Sequence, residues 1–397
     1  MQRAIYLDYA ATTPVDPQVA KAMMRFLGTD GIFGNPASRT HRFGWEAEKA
    51  VENARQELAG LINAEPDEVI WTSGATESDN LAIKGVADAY ANRGQHVVTS
   101  AIEHKAVLDS CRYLEGQGYD VTYIKPSIDG VISPDQISAA LRSDTILVSL
   151  MHVNNELGTV TDIQAIAEIT RERNIPFHVD AAQSAARLTL DMQSTQADLL
   201  SLSGHKMYGP KGIGALYVRR NPRTRLNAQI HGGGHERGLR SGTLPTHQIV
   251  GMGAAARLVR EQFESDLSRT YLLSKRLLGR LGLIEQLSVN GKRRHCVPGI
   301  INVTIASVES ESLIMMLKGS IAISTGSACT SASVEPSHVL MALGVDEEAV
   351  HSSLRLSLGR FTTVEEIDYA AEQITGAVDE LRSISPTWIE HRNRIEA

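Results

Sequence analysis

Leu199-Leu200-Ser201-Leu202-Ser203-Gly204-His205-Lys206-Met207-Tyr208-Gly209-Pro210-Lys211-Gly212 reads as a short apolar strand that runs out onto a lysine. The glycines, histidine, methionine and tyrosine around Lys206 are unlike the flanks of an exposed charged face. Upstream, Pro176-Phe177-His178-Val179 reads as a second strand that ends in Asp180, with Gln183 three residues further on. An acid and an amine thus stand at the ends of two successive buried strands.

Working outward, strand-like and helix-like segments alternate from about residue 60 to 220. Ala47, Ala50, Val51, Ala54 and Leu58 give a helical stripe over residues 46–62. Residues 69–71 read as a strand, followed by Thr72-Ser73-Gly74-Ala75-Thr76-Glu77 and a helix. Residues 96–99 form the next strand, then Glu103-His104-Lys105 and another helix. Residues 121–124 and 145–151 are further strands, the latter a largely apolar run suited to burial on both faces of a parallel sheet. A helix to Arg173 leads into the strand ending at Asp180, and 213–218 completes the sheet. This order predicts an α/β fold with a large doubly wound, parallel or mixed sheet. Ligands in such sheets bind beyond the carboxyl ends of the strands. From about residue 251 the pattern changes to a long helix to about 281, short strands at 299–304 and 321–324, and a terminal helix. Thr363 and Glu366 supply that helix with a capping box, ahead of the stripe Ile367, Ala370, Ile374, Val378 and Leu381. We expect a large domain over 15–260 and a smaller α+β domain from 1–14 and 261–397.

The residues at the predicted strand ends suit pyridoxal phosphate. A carboxylate, here Asp180, holds the ring nitrogen protonated, and a lysine amine, here Lys206, condenses with the aldehyde. Gln183 reaches the ring hydroxyl and His104 stacks on the ring. Gly74-Ala75-Thr76 between a strand and a helix offers free N–H groups and a hydroxyl to a phosphate, with Ser203 and His205 beside the lysine. Arg355, alternating with apolar residues in Ser352-Ser353-Leu354-Arg355-Leu356-Ser357, has the fork geometry for an amino-acid carboxylate. Asn35 and Asn155 are further candidates at that end. Taken singly, each has a plainer reading: helix caps for Thr76, Asp180 and His104, a surface strand residue for Arg355. Neither a P-loop nor a strand-opening G-x-G-x-x-G is present.

Cys329 lies in Gly326-Ser327-Ala328-Cys329-Thr330-Ser331-Ala332-Ser333, where every residue is small or hydroxylic. Such a segment packs poorly, so its thiol is accessible, and the thiolate is the nucleophilic form. Cys111 and Cys296 read as small buried hydrophobes. The three cysteines make no CxxC pair, and His231-Gly232-Gly233-Gly234-His235 lacks the further ligands a zinc site needs. We expect no resident metal.

The 397 residues, 42% hydrophobic and 21% charged with a net charge of −7, suit a soluble globular enzyme and argue against a nucleic-acid surface. No apolar stretch of about 18 residues suggests a membrane span, and Met1-Gln2-Arg3-Ala4-Ile5-Tyr6-Leu7-Asp8-Tyr9 carries no signal core. We expect a cytoplasmic protein without direct nucleic-acid or membrane contact.

At this point the runs Tyr6-Leu7-Asp8-Tyr9-Ala10-Ala11-Thr12-Thr13-Pro14, Gly34-Asn35-Pro36-Ala37-Ser38, Thr72-Ser73-Gly74-Ala75-Thr76-Glu77-Ser78-Asp79-Asn80, Met151-His152-Val153-Asn154-Asn155-Glu156 and His178-Val179-Asp180-Ala181-Ala182-Gln183-Ser184 matter together. With Ser203-Gly204-His205-Lys206, Arg240-Ser241-Gly242-Thr243 and the Cys329 segment, the chain resembles cysteine desulfurases of the NifS/IscS class, in the IscS-like branch. The resemblance spans nearly the whole chain. It implies the type I aminotransferase fold and a homodimer. Lys206 would carry pyridoxal phosphate. Ala75, Thr76, Ser203 and His205 would bind its phosphate, and Thr243 would reach the phosphate bound by the partner subunit. Asp180, Gln183, His104 and Asn155 would set the ring, and His104 and Lys206 would move protons. Arg355, with Asn155 and Asn35, would hold L-cysteine. Cys329 would take its sulfur, leaving alanine and a persulfide, and could transiently ligate a cluster. The sulfur would pass to an iron–sulfur cluster scaffold and to other acceptors such as tRNA-thiolation proteins. The C-terminal run from Ser385 departs from the longer tail of IscS-like relatives, which bears on the partner. Three rival readings share parts of this set: an aminotransferase needing no Cys329, a selenocysteine lyase, and an assembly platform with vestigial catalysis.

Overall fold

The computed structural model describes residues 4–325 and 336–396. Among them run strands β1 (Ile5–Tyr6), β2 (Val69–Thr72), β3 (His96–Ser100), β4 (Asp120–Ile124), β5 (Thr145–Met151), β6 (Phe177–Asp180), β7 (Leu199–Ser203), β8 (Gly214–Val218), β9 (Leu287–Val289), β10 (Ile300–Ile305), β11 (Ile321–Ala322) and β12 (Ser353–Ser357). Seven of them build one sheet in the order β2-β8-β7-β6-β5-β3-β4. Strands β4, β3, β5, β6 and β7 are mutually parallel, whereas β8 is antiparallel to both its neighbours. The connection from β7 to β8 is too short for a crossover helix, so the chain can only fold back antiparallel. The expected large α/β sheet is therefore mixed, the one of the two expected forms that β8 decides.

Side-chain alternation separates the two faces of the sheet. Ile70, Leu199 and Leu216 point to one face, under Leu81, Ala82, Ile83 and Val86 of the helix Ala75–Tyr90. Val69, Trp71, Leu200, Leu202 and Tyr217 point to the other, against Leu58 of the helix Arg42–Leu61 and Ile249, Met252 and Ala256 of the helix Thr246–Leu281. All seven residues of β5 are buried, in keeping with its apolar composition.

A second core forms around the antiparallel sheet β12-β10-β9 and the parallel pair β1-β11. Leu7, Ile301, Val303, Leu354 and Leu356 pack there with Ile367, Ala370, Ile374 and Val378 of the helix Val364–Ile384. The expected capping box is present: Thr363 Oγ1 accepts from the Glu366 N–H at 3.1 Å, and Glu366 Oε2 from the Thr363 N–H at 2.9 Å. The helix Thr246–Leu281 serves both cores, its first half in one and Leu273, Leu277 and Leu281 in the other.

Strand register decides where the chemistry gathers. Met151 lies opposite Asp180, Asp180 opposite Ser201, and Ser203 opposite Gly214, which also faces Thr72. The ends of β2, β5, β6 and β7 therefore open onto one edge.

Candidate active site

Lys206 follows β7 in a single 3-10 turn, Gly204–Lys206. Its Nζ donates to the carbonyl oxygens of Ala10 at 2.5 Å and Ala11 at 2.8 Å. The carbonyl of Ala10 also accepts from Gln183 Nε2 at 2.7 Å. One step on, Thr12 Oγ1 meets His205 Nδ1 at 3.1 Å, and Thr13 Oγ1 accepts from the Tyr208 N–H at 2.8 Å. Residues 8–13 thus form a strap whose Ala10 and Ala11 line one side of a cavity of about 430 Å³ at the strand ends.

Asp180 closes β6 on the wall of that cavity, and its Oδ1 accepts from the Ala182 N–H at 2.9 Å. Burial pushes its carboxyl up, while His104, that N–H and Lys206 pull it back toward the anion. His104 caps the helix Lys105–Gly116, its Nδ1 accepting from the Ala106 N–H at 3.1 Å. When neutral, the ring therefore carries its proton on Nε2. The residue is both a helix cap and a wall of the cavity.

The phosphate end is an uncapped helix start. Gly74 precedes the helix Ala75–Tyr90, and no side chain caps it. Its first N–H groups and the positive end of the helix dipole form a ready anion cradle. Glu77, in the first turn, is drawn aside by Arg240 at 2.7 Å and the Ser73 N–H at 2.8 Å. Ser203 and His205 face the same space. Burial, with Lys206 and Lys211 nearby, pushes His205 down to about 4.

Arg355, in the middle of β12, is 1% exposed and no surface residue. Its Nη2 donates to Asp8 Oδ1 at 2.7 Å and its Nη1 to the Asn155 carbonyl at 3.0 Å. Its Nε is buried and has no hydrogen-bond partner among the described residues.

Ten predicted residues meet in this one cavity: Ala75, Thr76, His104, Asn155, Asp180, Gln183, Ser203, His205, Lys206 and Arg355. Two do not. Asn35 is exposed, with its Oδ1 turned onto the Ala37 N–H at 2.9 Å, and Thr243 is exposed on the glycine-rich loop. Cys329 lies outside the described residues. Cys111 is buried as expected; Cys296 is only half-buried, its Sγ 3.4 Å from the Lys292 carbonyl. A wider groove of about 1240 Å³, lined by residues such as Arg187, Tyr271 and Cys296, holds none of the predicted site residues. No cluster of three or more metal-ligating side chains occurs among the described residues.

Several residues at the cavity escaped the sequence reading. Ala10 and Ala11 line it from the N-terminal strap, and Asp8 of the same strap stands behind it on Arg355. Asp79 is 1% exposed and lines the cavity; among the described residues neither of its oxygens has a hydrogen-bond partner, and its Oδ1 lies 3.6 Å from His178 Nε2. Burial, then the charge of Asp180, pushes its carboxyl well up. Its signal was an acid on the same helical face as Ala82, Ile83 and Val86. Glu103 is likewise enclosed, its Oε1 2.5 Å from Ser100 Oγ, and burial raises it to about 8.

These residues fit pyridoxal phosphate: an uncapped helix start for the phosphate, an acid for the ring nitrogen, and an amine within the same cavity. Gln183 Oε1, buried and without a partner among the described residues, is an acceptor such a ring hydroxyl would satisfy. Comparison with known proteins agrees. A family model described as Aminotransferase class-V matches residues 5–370. The chain is 59% identical over 396 residues to the cysteine desulfurase IscS of Pseudomonas aeruginosa strain UCBPP-PA14, covering all of this chain and 98% of that relative. A solved structure named "NIFS-LIKE PROTEIN" superposes with a TM-score of 0.88 at 33% identity, over 95% of this chain and 100% of that one. Another, named "SspA in complex with cysteine", gives 0.79 at 41% identity, over 90% of this chain and 100% of that one.

Proposed function

We propose a function from one premise: the chain belongs to the aminotransferase class-V family. It is a pyridoxal-phosphate-dependent cysteine desulfurase, which removes the sulfur of L-cysteine and leaves L-alanine. The observation that carries this is the meeting of Asp180, Lys206, His104 and Arg355 in one cavity beside an uncapped helix start.

Pyridoxal phosphate, when bound, supplies an electron sink for the carbons of the amino acid. The chain's own residues do the rest. Asp180 offers a carboxylate to the ring nitrogen, and Gln183 offers its unpartnered oxygen to the ring hydroxyl. Ala75, Thr76, Ser203 and His205 receive the phosphate. Lys206 leaves the carbonyls of Ala10 and Ala11 to hold the cofactor, then moves protons with His104 Nε2. Arg355 binds the substrate carboxylate, with Asn155 alongside. Cys329 takes the sulfur: a sulfur–sulfur bond forms as the carbon–sulfur bond breaks, and the carbon recovers a proton. Alanine and a Cys329 persulfide account for every atom.

The same proposal assigns cofactor binding to residues 15–260, and the arginine and the Cys329 segment to 1–14 and 261–397. It includes a homodimer in which Thr243, exposed and outside the cavity of its own chain, reaches the neighbouring phosphate. Asn35 would join the substrate end in that assembly. The persulfide sulfur passes to an iron–sulfur scaffold and other protein acceptors in the cytoplasm.

The test is alanine release from L-cysteine by protein reconstituted with pyridoxal phosphate, with a reductant present. Wild type should release alanine and sulfide, and Lys206→Ala should release neither. Failure to bind the cofactor, or full turnover in Lys206→Ala, would overturn the proposal.

A further inference from the structure

The substrate arginine is held in an unusual way. Its guanidinium has five N–H donors in a rigid fork. Two of its nitrogens are engaged, Nη2 by Asp8 Oδ1 at 2.7 Å and Nη1 by the Asn155 carbonyl at 3.0 Å. Nε is enclosed without a partner among the described residues, on a side chain only 2% exposed that lines the cavity. Asp8 therefore grips one prong of the fork and leaves another empty. A buried donor left unmet costs free energy that an arriving acceptor returns.

Asp8 is itself tied down. Its carbonyl accepts from Tyr6 Oη at 2.9 Å and from the N–H groups of Ala11 at 3.0 Å and Thr12 at 3.4 Å. Around it, the Ser357 N–H donates to the Leu7 carbonyl at 2.7 Å, and the Ala10 N–H donates to Ser357 Oγ at 2.8 Å. The turn that fixes Asp8 is the turn whose Ala10 and Ala11 carbonyls hold Lys206 Nζ. One short piece of chain thus sets both the guanidinium and the amine.

We propose that Asp8 is the positioning residue of Arg355, and that the turn over residues 8–13 is a ruler selecting amino acids whose carboxylate lies next to the reacting amine. Asp8 neutralises the buried guanidinium before substrate arrives and orients it so that Nε remains for the incoming carboxylate. The inference rests on Arg355 as the carboxylate site of the proposed function. Asp8 is not among the residues that line the cavity, and it acts through Arg355.

The experiment is equilibrium binding to the cofactor-loaded protein, followed by the cofactor's absorbance, with two probes. L-Alanine carries the carboxylate; cysteamine is an amine without one. Asp8→Asn keeps the shape and removes the charge, and Asp8→Glu keeps the charge. In Asp8→Asn the affinity for L-alanine should fall about tenfold, as for loss of a charge-assisted bond, while cysteamine binds as in wild type. Asp8→Glu should recover part of the loss. Equal weakening of both probes would make Asp8 merely structural, and no weakening of either would give it no role; each overturns the inference. Because the readout is binding, it stands even for a wild type that binds amino acids and releases no alanine. That result would fault the desulfurase reading and not Asp8.

Discussion

Glu103, next in the chain to His104 of the cavity wall, is a titratable group held away from water. It is 1% exposed, and burial, opposed by the Ser100 hydroxyl, raises it from 4.5 to about 8. The folded protein therefore binds a proton here that the unfolded chain has released. Stability from this group is complete below pH 4.5 and is lost as the pH climbs to about 8. We expect the unfolding free energy of wild type, relative to Glu103→Gln, to decline across that window by up to about 1.4 kcal/mol per pH unit. Urea unfolding of the cofactor-free protein at several pH values measures it; a difference independent of pH would show that Glu103 is charged in the fold. At this scale the sequence was most legible where a residue ends a strand, as Asp180 and Lys206 do. Asp79 and Glu103 were not, because a polar residue on a helix or in a turn reads as solvent-facing until the sheet beneath it is in place. Asp8 was hidden for another reason: it meets Arg355 across 347 positions of chain.

Among the elements, the close approach of β8 to the phosphate turn has a sharp consequence. A Cβ on Gly214 would lie 2.6 Å from the Gly74 backbone and 2.6 Å from the Leu202 carbonyl. Both neighbours are backbone and have little room to give. Gly214→Ala should cost about 1–3 kcal/mol of stability and weaken cofactor binding by displacing the cradle at Gly74. Melting temperature and the dissociation constant of pyridoxal phosphate would report the two effects. Unchanged affinity in a destabilised variant would separate β8 from the cradle. The buried strands were readable from their apolar runs, above all β5. The direction of β8 was not, since an apolar run carries no arrow; the length of the preceding loop does. Strands β1 and β9 and the pairing of β1 with β11 were missed, being two or three residues long and held by tertiary packing.

Across the whole molecule, two cores share the helix Thr246–Leu281 and meet at the cavity. The larger sheet supplies Asp180 and Lys206, the smaller one Arg355, and the N-terminal strap joins them. Arg360, 7% exposed, adds a second tie, to Asp16 at 3.0 Å and Asp266 at 2.7 Å. Lys206 and Arg355 thus line one cavity, and in the proposed reaction the amino acid would lie between them. In the proposed reaction the sulfur leaves through Cys329. The most direct measurement gives the cofactor-loaded protein one portion of L-cysteine without reductant, traps persulfides, and weighs the cysteine-containing peptides. The account predicts one added sulfur on the Cys329 peptide, none on those of Cys111 or Cys296, and no alanine from Cys329→Ala with its cofactor still bound. An unmodified Cys329 peptide beside undiminished alanine release in Cys329→Ala would contradict it.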